Sequence, residues 1–345
     1  MTLLKYILIP FVIFSLTFNL MAKDPEFRVL GKKGKVLLQS SSNKQWVEIN
    51  TGSAVNKNDK ISLKEDSYLG LVHYSGKTIE ITKPGTYSIS ALSKELSTNS
   101  TSSSQKFANY VIDEITAGEI MIPKTTKNLS TAGSVERATG GDVNVGENIT
   151  SMTGTSSKYS SVINSAAGLF SSNSKSYIKA ILPRNSYIVE PEVTFSWYKN
   201  QNVKKYTFNL MDRKDNSIYK VQTSDTALVL NLQNLKIETS KNYYWYVTGN
   251  NDEKSDQYCI YLMNESEIKD VNDELESIVG NKNQENAITK LILASFYEDE
   301  NIMNLAIKSY REALVIAPDV PSYKNLYAQY LYRIGLQEEA KRILK

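Results

Sequence analysis

The chain runs to 345 residues, with 40 Lys and Arg against 37 Asp and Glu for a net charge of +3. A balance this even gives no electrostatic reason to expect nucleic acid or an acidic membrane surface as partner. A single histidine and a single cysteine exclude HExxH and cysteine zinc sites, and an intramolecular disulfide with them, so no metal or other cofactor is expected.

Residues 1–22, MTLLKYILIPFVIFSLTFNLMA, carry Lys5, then an apolar run from Tyr6 to Leu16, then the small residue Ala22 before the charged KDPEF. That is the order of a secretory signal peptide. The run is shorter than the ~20 residues that span a bilayer; an uncleaved anchor is the alternative. No cysteine lies beside the cut, which rules out lipoprotein anchoring there. The expected location is outside the cytoplasm, in a bacterial periplasm or on the cell surface, peripheral to a membrane at most. The rest of the chain suggests two or three domains of ~100–150 residues.

From Phe27 to Ile89 the pattern is short strands and turns. KQWVEINTGSAV alternates around Trp46, Val47 and Ile49 and turns at Gly52. YLGLVHY places Leu69, Leu71 and His73 on one face and Tyr68, Val72 and Tyr74 on the other. Ser75-Gly76-Lys77 reads as a hairpin turn into TIEIT, and Pro84-Gly85 as the next turn. Five or six strands make a small all-β domain over 23–96. The succession Gly34-Lys35-Val36, Trp46, Gly52, Asp59-Lys60-Ile61, Ser67, Leu71, Tyr74-Ser75-Gly76-Lys77 and Ile79-Ile81 resembles the FecR domain, a periplasmic β-rich module best known in anti-sigma regulators. The resemblance implies a part in signal relay. No cytoplasmic anti-sigma segment precedes the domain here. His73, in an alternating strand, is expected to be structural, because catalysis needs an activating partner that the sequence does not display.

Residues 97–176 read as a Ser/Thr-rich linker. STNSTSSS has no apolar residue and cannot bury a core. Within it, Phe107, Tyr110, Val111 and Ile115 recur at helical spacing, predicting a short helix near 106–117 that packs back on the β domain. Residues 177–263 return to strands: EVTFSWY alternates Val193, Phe195 and Trp197, and KKYTFNLMD alternates Tyr206, Phe208 and Leu210. Seven short strands at this spacing argue for an antiparallel sandwich. The Trp197 strand, the Leu230-Leu232-Leu235 step and Tyr243-Tyr244-Trp245-Tyr246-Val247 resemble a fibronectin-type-III or immunoglobulin-like module. Its aromatics suit a sandwich core; a platform for an envelope polysaccharide is the alternative. Cys259, inside the apolar run QYCIYLM, is expected to be a buried, inert thiol.

In 264–345 the period becomes helical, first through Ile268, Val271, Leu275 and Ile278. Leu293, Ala294, Tyr297, Ala306, Tyr310, Ala313 and Pro318 then keep the spacing of one tetratricopeptide repeat, and Tyr327, Ala328, Leu331, Gly335, Ala340 and Leu344 that of a second. This similarity implies paired helices and a concave groove for a peptide or helix. Carried over position by position, Ser295, Glu298, Asn325, Gln329 and Tyr332 would face that groove. Two repeats fall below the ~3 usually needed for stability, so support must come from residues 265–279, from the sandwich or from a partner.

No catalytic residues are expected. GxSxG, GxxxxGK[ST] and GxGxxG are absent. Ser-x-x-Lys occurs without SDN or KTG. Glu190 and Glu192 flank a proline on a predicted strand edge and read as solvated. The sequence thus predicts a multidomain protein of β plus α class: FecR-like domain, antiparallel sandwich and tetratricopeptide tail. The predicted role is a non-enzymatic envelope scaffold with a protein or peptide partner; a cell-wall or glycan-directed binding protein or hydrolase is the alternative.

Overall fold

The computed structural model describes residues 25–96, 102–117, 178–235, 237–250, 253–279 and 286–345. The predicted signal peptide, and the predicted linker apart from its helix, lie outside them. Among the described residues no helix is long and apolar enough to cross a membrane.

The N-terminal part forms β1 (Phe27–Lys33), β2 (Val36–Gln39), β3 (Trp46–Glu48), β4 (Ala54–Val55), β5 (Lys60–Leu63), β6 (Tyr68–His73), β7 (Thr78–Ile81) and β8 (Gly85–Ser88). Two four-stranded sheets result, ordered β4-β1-β6-β7 and β3-β2-β5-β8, with all pairings antiparallel. Eight strands exceed the five or six expected; β4, two residues long, is too short to show a period. Phe27, Val29, Val36, Ile61, Leu69 and Leu71 belong to one buried cluster of this domain. Asp59 is buried yet satisfied: its carboxylate accepts the N–H groups of Asn56 at 2.8 Å and Ser41 at 3.0 Å. Gly76 (φ +84°) makes the tight β6–β7 turn, its N–H donating to His73 O at 2.8 Å.

Alternation along β6 does not survive as inside and outside. All six residues are buried. Leu69 and Leu71 join the domain's own core, whereas Tyr68 and Val72, on the opposite face, join the core of the helical part.

Two helices follow, α1 (Ile89–Glu95) and α2 (Ser102–Thr116). The second β part comprises β9 (Ala180–Leu182), β10 (Ser186–Ile188), β11 (Glu192–Trp197), β12 (Tyr206–Met211), β13 (Ser217–Thr223), β14 (Ala227–Asn231), β15 (Lys241–Thr248) and β16 (Tyr258–Leu262). Its sheets are ordered β14-β11-β9 and β10-β16-β15-β12-β13, antiparallel except for the β10–β16 pair. Phe195, Phe208 and Trp245 fill the core, the last two rings stacked at 5.9 Å. Trp245 Nε1 donates to Pro183 O at 2.9 Å, which removes the cost of burying an indole N–H. The Tyr243 hydroxyl accepts from Glu238 N–H at 2.7 Å and pins the bend before β15. Cys259 is buried, and burial pushes its thiol pKa up to about 12.

The C-terminal part holds α3 (Glu265–Val279), α4 (Ala287–Asp299), α5 (Met303–Ile316), α6 (Pro321–Arg333) and α7 (Gln337–Ile343). A capping box opens α3: Asn264 Oδ1 accepts Glu267 N–H at 2.9 Å, and Glu267 Oε2 accepts Asn264 N–H at 2.7 Å. The pairs α4–α5 and α6–α7 lie side by side. Ala294, Ala306 and Ala313 have no exposed surface, as close helix approach requires. Tyr310 stacks between Tyr327 at 5.2 Å and Tyr330 at 5.3 Å.

These parts share one core. The cluster around α4–α7 takes in Leu30, Tyr68 and Val72 from the first β part, Phe107, Ala108 and Val111 from α2, and Tyr187, Tyr261 and Met263 from the second. Gly31 lies so close to α6 that a Cβ there would sit 2.6 Å from Val320 Cγ1 and 2.7 Å from Tyr323 Cε1. Across from it, β10 is tied to the α4–α5 turn by its main chain: Tyr187 N–H donates to Asn301 O at 3.1 Å. The support that two helix pairs lack by themselves thus comes from the same chain.

Candidate functional site

The helix predicted near 106–117 begins earlier, at Ser102, and goes mainly elsewhere than predicted. It meets β1, but chiefly lies across α4 and α6 and beside α3. Its apolar stripe decides this. Phe107 meets Phe296 of α4 edge to face at 5.5 Å, and Val111 has no exposed surface. Polar contacts flank the stripe. Lys106 pairs with Asp299 at 2.9 Å. Arg333, at the end of α6, reaches Glu114 at 2.8 Å and the Tyr110 hydroxyl at 3.0 Å.

The five residues assigned to the groove do not have equal surroundings. Glu298 gathers the most partners: its carboxylate accepts from Arg333 Nη2 at 2.7 Å, Arg333 Nε at 3.0 Å, Tyr310 OH at 3.1 Å and Tyr110 OH at 3.3 Å. Burial pushes its pKa up, against the pull of the guanidinium. Burial likewise opposes the charge of Arg333, but Glu298 and its neighbours outweigh it and hold the guanidinium protonated. Ser295 is buried and turns back to donate to Ile292 O at 2.8 Å. Gln329 is buried, 6 % exposed. Tyr332 and Asn325 are half-buried. Among the described residues, Gln329 Oε1 and the Tyr332 hydroxyl find no hydrogen-bond partner. Of the five, Glu298 meets α2, through the Tyr110 hydroxyl.

Arg333 and Glu114 escaped the sequence reading, which took Tyr110 only as part of an apolar stripe. The period of α2 was visible, but the destination of its apolar stripe was not. Arg333 stands four residues after Gln329, on the same side of α6, and that spacing is the available signal.

The starts of α4 and α6 are held against the first β part. Asn286 caps α4, accepting Thr289 N–H at 2.8 Å, and Glu80 accepts Ile288 N–H at 3.0 Å, placing a carboxylate on the positive end of the helix. Ser322 Oγ donates to Leu30 O at 3.0 Å at the start of α6.

His73 is the natural starting point for an enzymatic reading. Its Nδ1 lies 2.8 Å from Ser75 Oγ and accepts the Ser75 N–H at 3.2 Å. Its Nε2 faces Glu26 at 3.6 Å and Ser93 Oγ at 3.4 Å, while Ser93 donates to Glu26. A base must offer a free lone pair to a nucleophile that reaches substrate. Here the main chain of Ser75 occupies Nδ1, and Phe27 covers the ring edge to face at 5.0 Å. Burial holds the imidazole pKa below its ordinary value, against the pull of Glu26. The arrangement is that of a neutral histidine fastening a turn.

A cleft of about 1130 Å³ opens between β9–β11 and the α5–α7 side of the helices. Its acids are largely engaged: Glu312 with Lys290 at 2.9 Å, Glu190 with Lys308 at 3.9 Å, and Glu339 with Arg342 at 2.8 Å. Among the described residues no group of His, Cys, Asp and Glu is placed to hold a metal ion.

No protein-family model matches the chain. No curated protein matches it either.

Proposed function

We propose that this chain is an exported, non-catalytic scaffold of the bacterial cell envelope that holds a protein partner through its helical repeats. The observation that carries the reading is α2 itself: an amphipathic helix seated across α4 and α6, with Tyr110 on Glu298, one of the five positions carried over to the groove. A surface that takes one helix is chemically fit to take another. Several features support the finer assignments. Paired helices with buried alanines at the crossing support a tetratricopeptide type. The bend pinned by Tyr243 and the strand order of the second β part support a fibronectin-III or immunoglobulin-like sandwich. Two antiparallel sheets with a buried, satisfied Asp59 support the FecR-like assignment, with signal relay as its narrower form.

The test is capture from envelope fractions with the tagged full chain. Asn325→Ala combined with Tyr332→Phe should retain the melting temperature, since neither removes apolar packing of note. It should reduce recovery of the partner at least fivefold. Unchanged recovery by the folded double variant would sink the reading. Glycan-directed binding has its own observation, the cleft beside β11; co-sedimentation with cell-wall polysaccharide that Thr194→Trp abolishes would favour it instead.

A further inference from the structure

We infer that β14 is a docking edge for a second copy of this chain: two β14 strands pair antiparallel about a two-fold axis through Val229 and join their three-stranded sheets edge to edge. The surface lies apart from the helical repeats, so it stands or falls independently of any partner that they hold.

A strand with one neighbour leaves a row of main-chain groups bare. Among the described residues β14 has only β11 beside it. The register shows which groups are bare. Trp197 N–H donates to Thr226 O at 3.0 Å and Leu232 N–H to Pro191 O at 2.8 Å, and between these two pairs the register runs without a shift. Thr226, Leu228, Leu230 and Leu232 therefore turn their main-chain groups to β11, while Ala227, Val229 and Asn231 turn theirs to the open edge. A row of alternating donors and acceptors at strand spacing is matched by the main chain of another strand.

The other edges of the described sheets are guarded. β4 has two residues, and β3 and β9 three each. β8 follows Pro84 directly. β7 lies against the start of α4, where Glu80 takes the Ile288 N–H, and β10 is bound to the α4–α5 turn through Tyr187. β13 has Lys220 at its middle, and its register with β12 shifts at Ile218. Short strands, prolines, lysines, bulges and covering elements are the devices that keep sheet edges from pairing. β14, Ala-Leu-Val-Leu-Asn, has none of them.

Charge and shape then point to a second copy. A charged edge selects a partner of opposite sign. β14 carries no charge, and paired with itself it sets no like charges together. With Val229 opposite Val229, Leu228 falls beside Leu230 of the second copy and Ala227 beside its Asn231. Val229 is 55 % exposed and Leu228 half-buried; both would leave water as cross-strand pairs. The assembly also closes. The far edge of the sheet is the three-residue β9, so two copies form a pair and not a filament.

The experiment is size-exclusion chromatography with light scattering on the full chain, over a range of concentrations. The chain should form a dimer. Val229→Lys sets two ammonium groups face to face on the axis and should weaken the dimer about tenfold or more, with far-ultraviolet dichroism unchanged. Val229→Glu should do the same, and the two variants mixed should associate again as a pair of one each. Hydrogen exchange of the unaltered chain gives a reading that needs no variant: the amides of Ala227, Val229 and Asn231 should exchange about tenfold more slowly in the dimer than after dilution to monomer. A monomer at every concentration would overturn the inference. So would a dimer that both variants leave intact, or one in which those three amides stay unprotected, since the copies would then meet elsewhere. A monomer whose envelope capture is lost with Val229→Lys would overturn it too, and give the edge to a strand from another protein. A β14-dependent dimer that captures nothing supports the pairing and counts against the helical-repeat reading alone.

Discussion

The hydroxyls of Tyr68 on β6 and Tyr323 on α6 meet at 3.1 Å, their rings edge to face at 6.1 Å, across 255 residues of chain. Both side chains are buried, and burial raises both phenol pKa values. The pair marks the seam where the first β part and the helices become one body.

The seam is tight because Gly31 adds no side chain to it. Gly31→Val should drive a branched side chain into Val320 and Tyr323 and cost about 1–3 kcal/mol by overpacking. Urea unfolding followed by Trp46 and by far-ultraviolet dichroism should separate into two transitions. A single unshifted transition would show that the seam has room.

Removing the Arg333 guanidinium leaves Glu298 buried without its cation. Such losses run to ~3–5 kcal/mol for a fully buried pair. Arg333 retains 36 % of its side-chain exposure, so Arg333→Ala is expected to cost about 2–3 kcal/mol in the presence of that solvent. Adding Glu298→Gln should restore part of the loss. A double variant weaker than either single one would mean that the two residues act separately.

Ala306 has no room for anything larger, being fully enclosed between α4 and α5. Ala306→Arg should cost about 3 kcal/mol or more through overpacking and charge burial. Because the β parts share the same core, near-ultraviolet signals from the β parts should weaken too. Loss of helicity alone, with both β parts intact, would contradict the shared core.

The folded pKa of His73 lies below its unfolded value, with burial the main cause. The unfolded chain therefore binds the proton first as pH falls. Stability is fully present above the unfolded value, about 6.5, and is lost as pH drops through the folded one. Between pH 7.5 and 5.5 the wild-type midpoint should fall more than that of His73→Gln. Parallel pH profiles for the two proteins would remove the linkage.

The proposed export rests on residues 1–22. Secreted material should begin at Lys23 on N-terminal sequencing, and membrane-bound chains starting at Met1 would indicate an anchor instead.

Sequence by itself determined the elements. Period two predicted the strand carrying Phe195 and Trp197, period 3.6 predicted the stripe of α2, and small residues at Ala294 and Ala306 announced a close helix crossing before any coordinate was needed. Local periodicity encodes which face of an element must leave water, because that depends on side chains a few residues apart. It does not encode what will cover that face, since the covering residue is hundreds of positions away and any apolar surface of matching shape would serve. So only the tertiary structure decided that β6 is buried on both faces, that α2 lies across α4 and α6, and that Arg333 closes over Glu298.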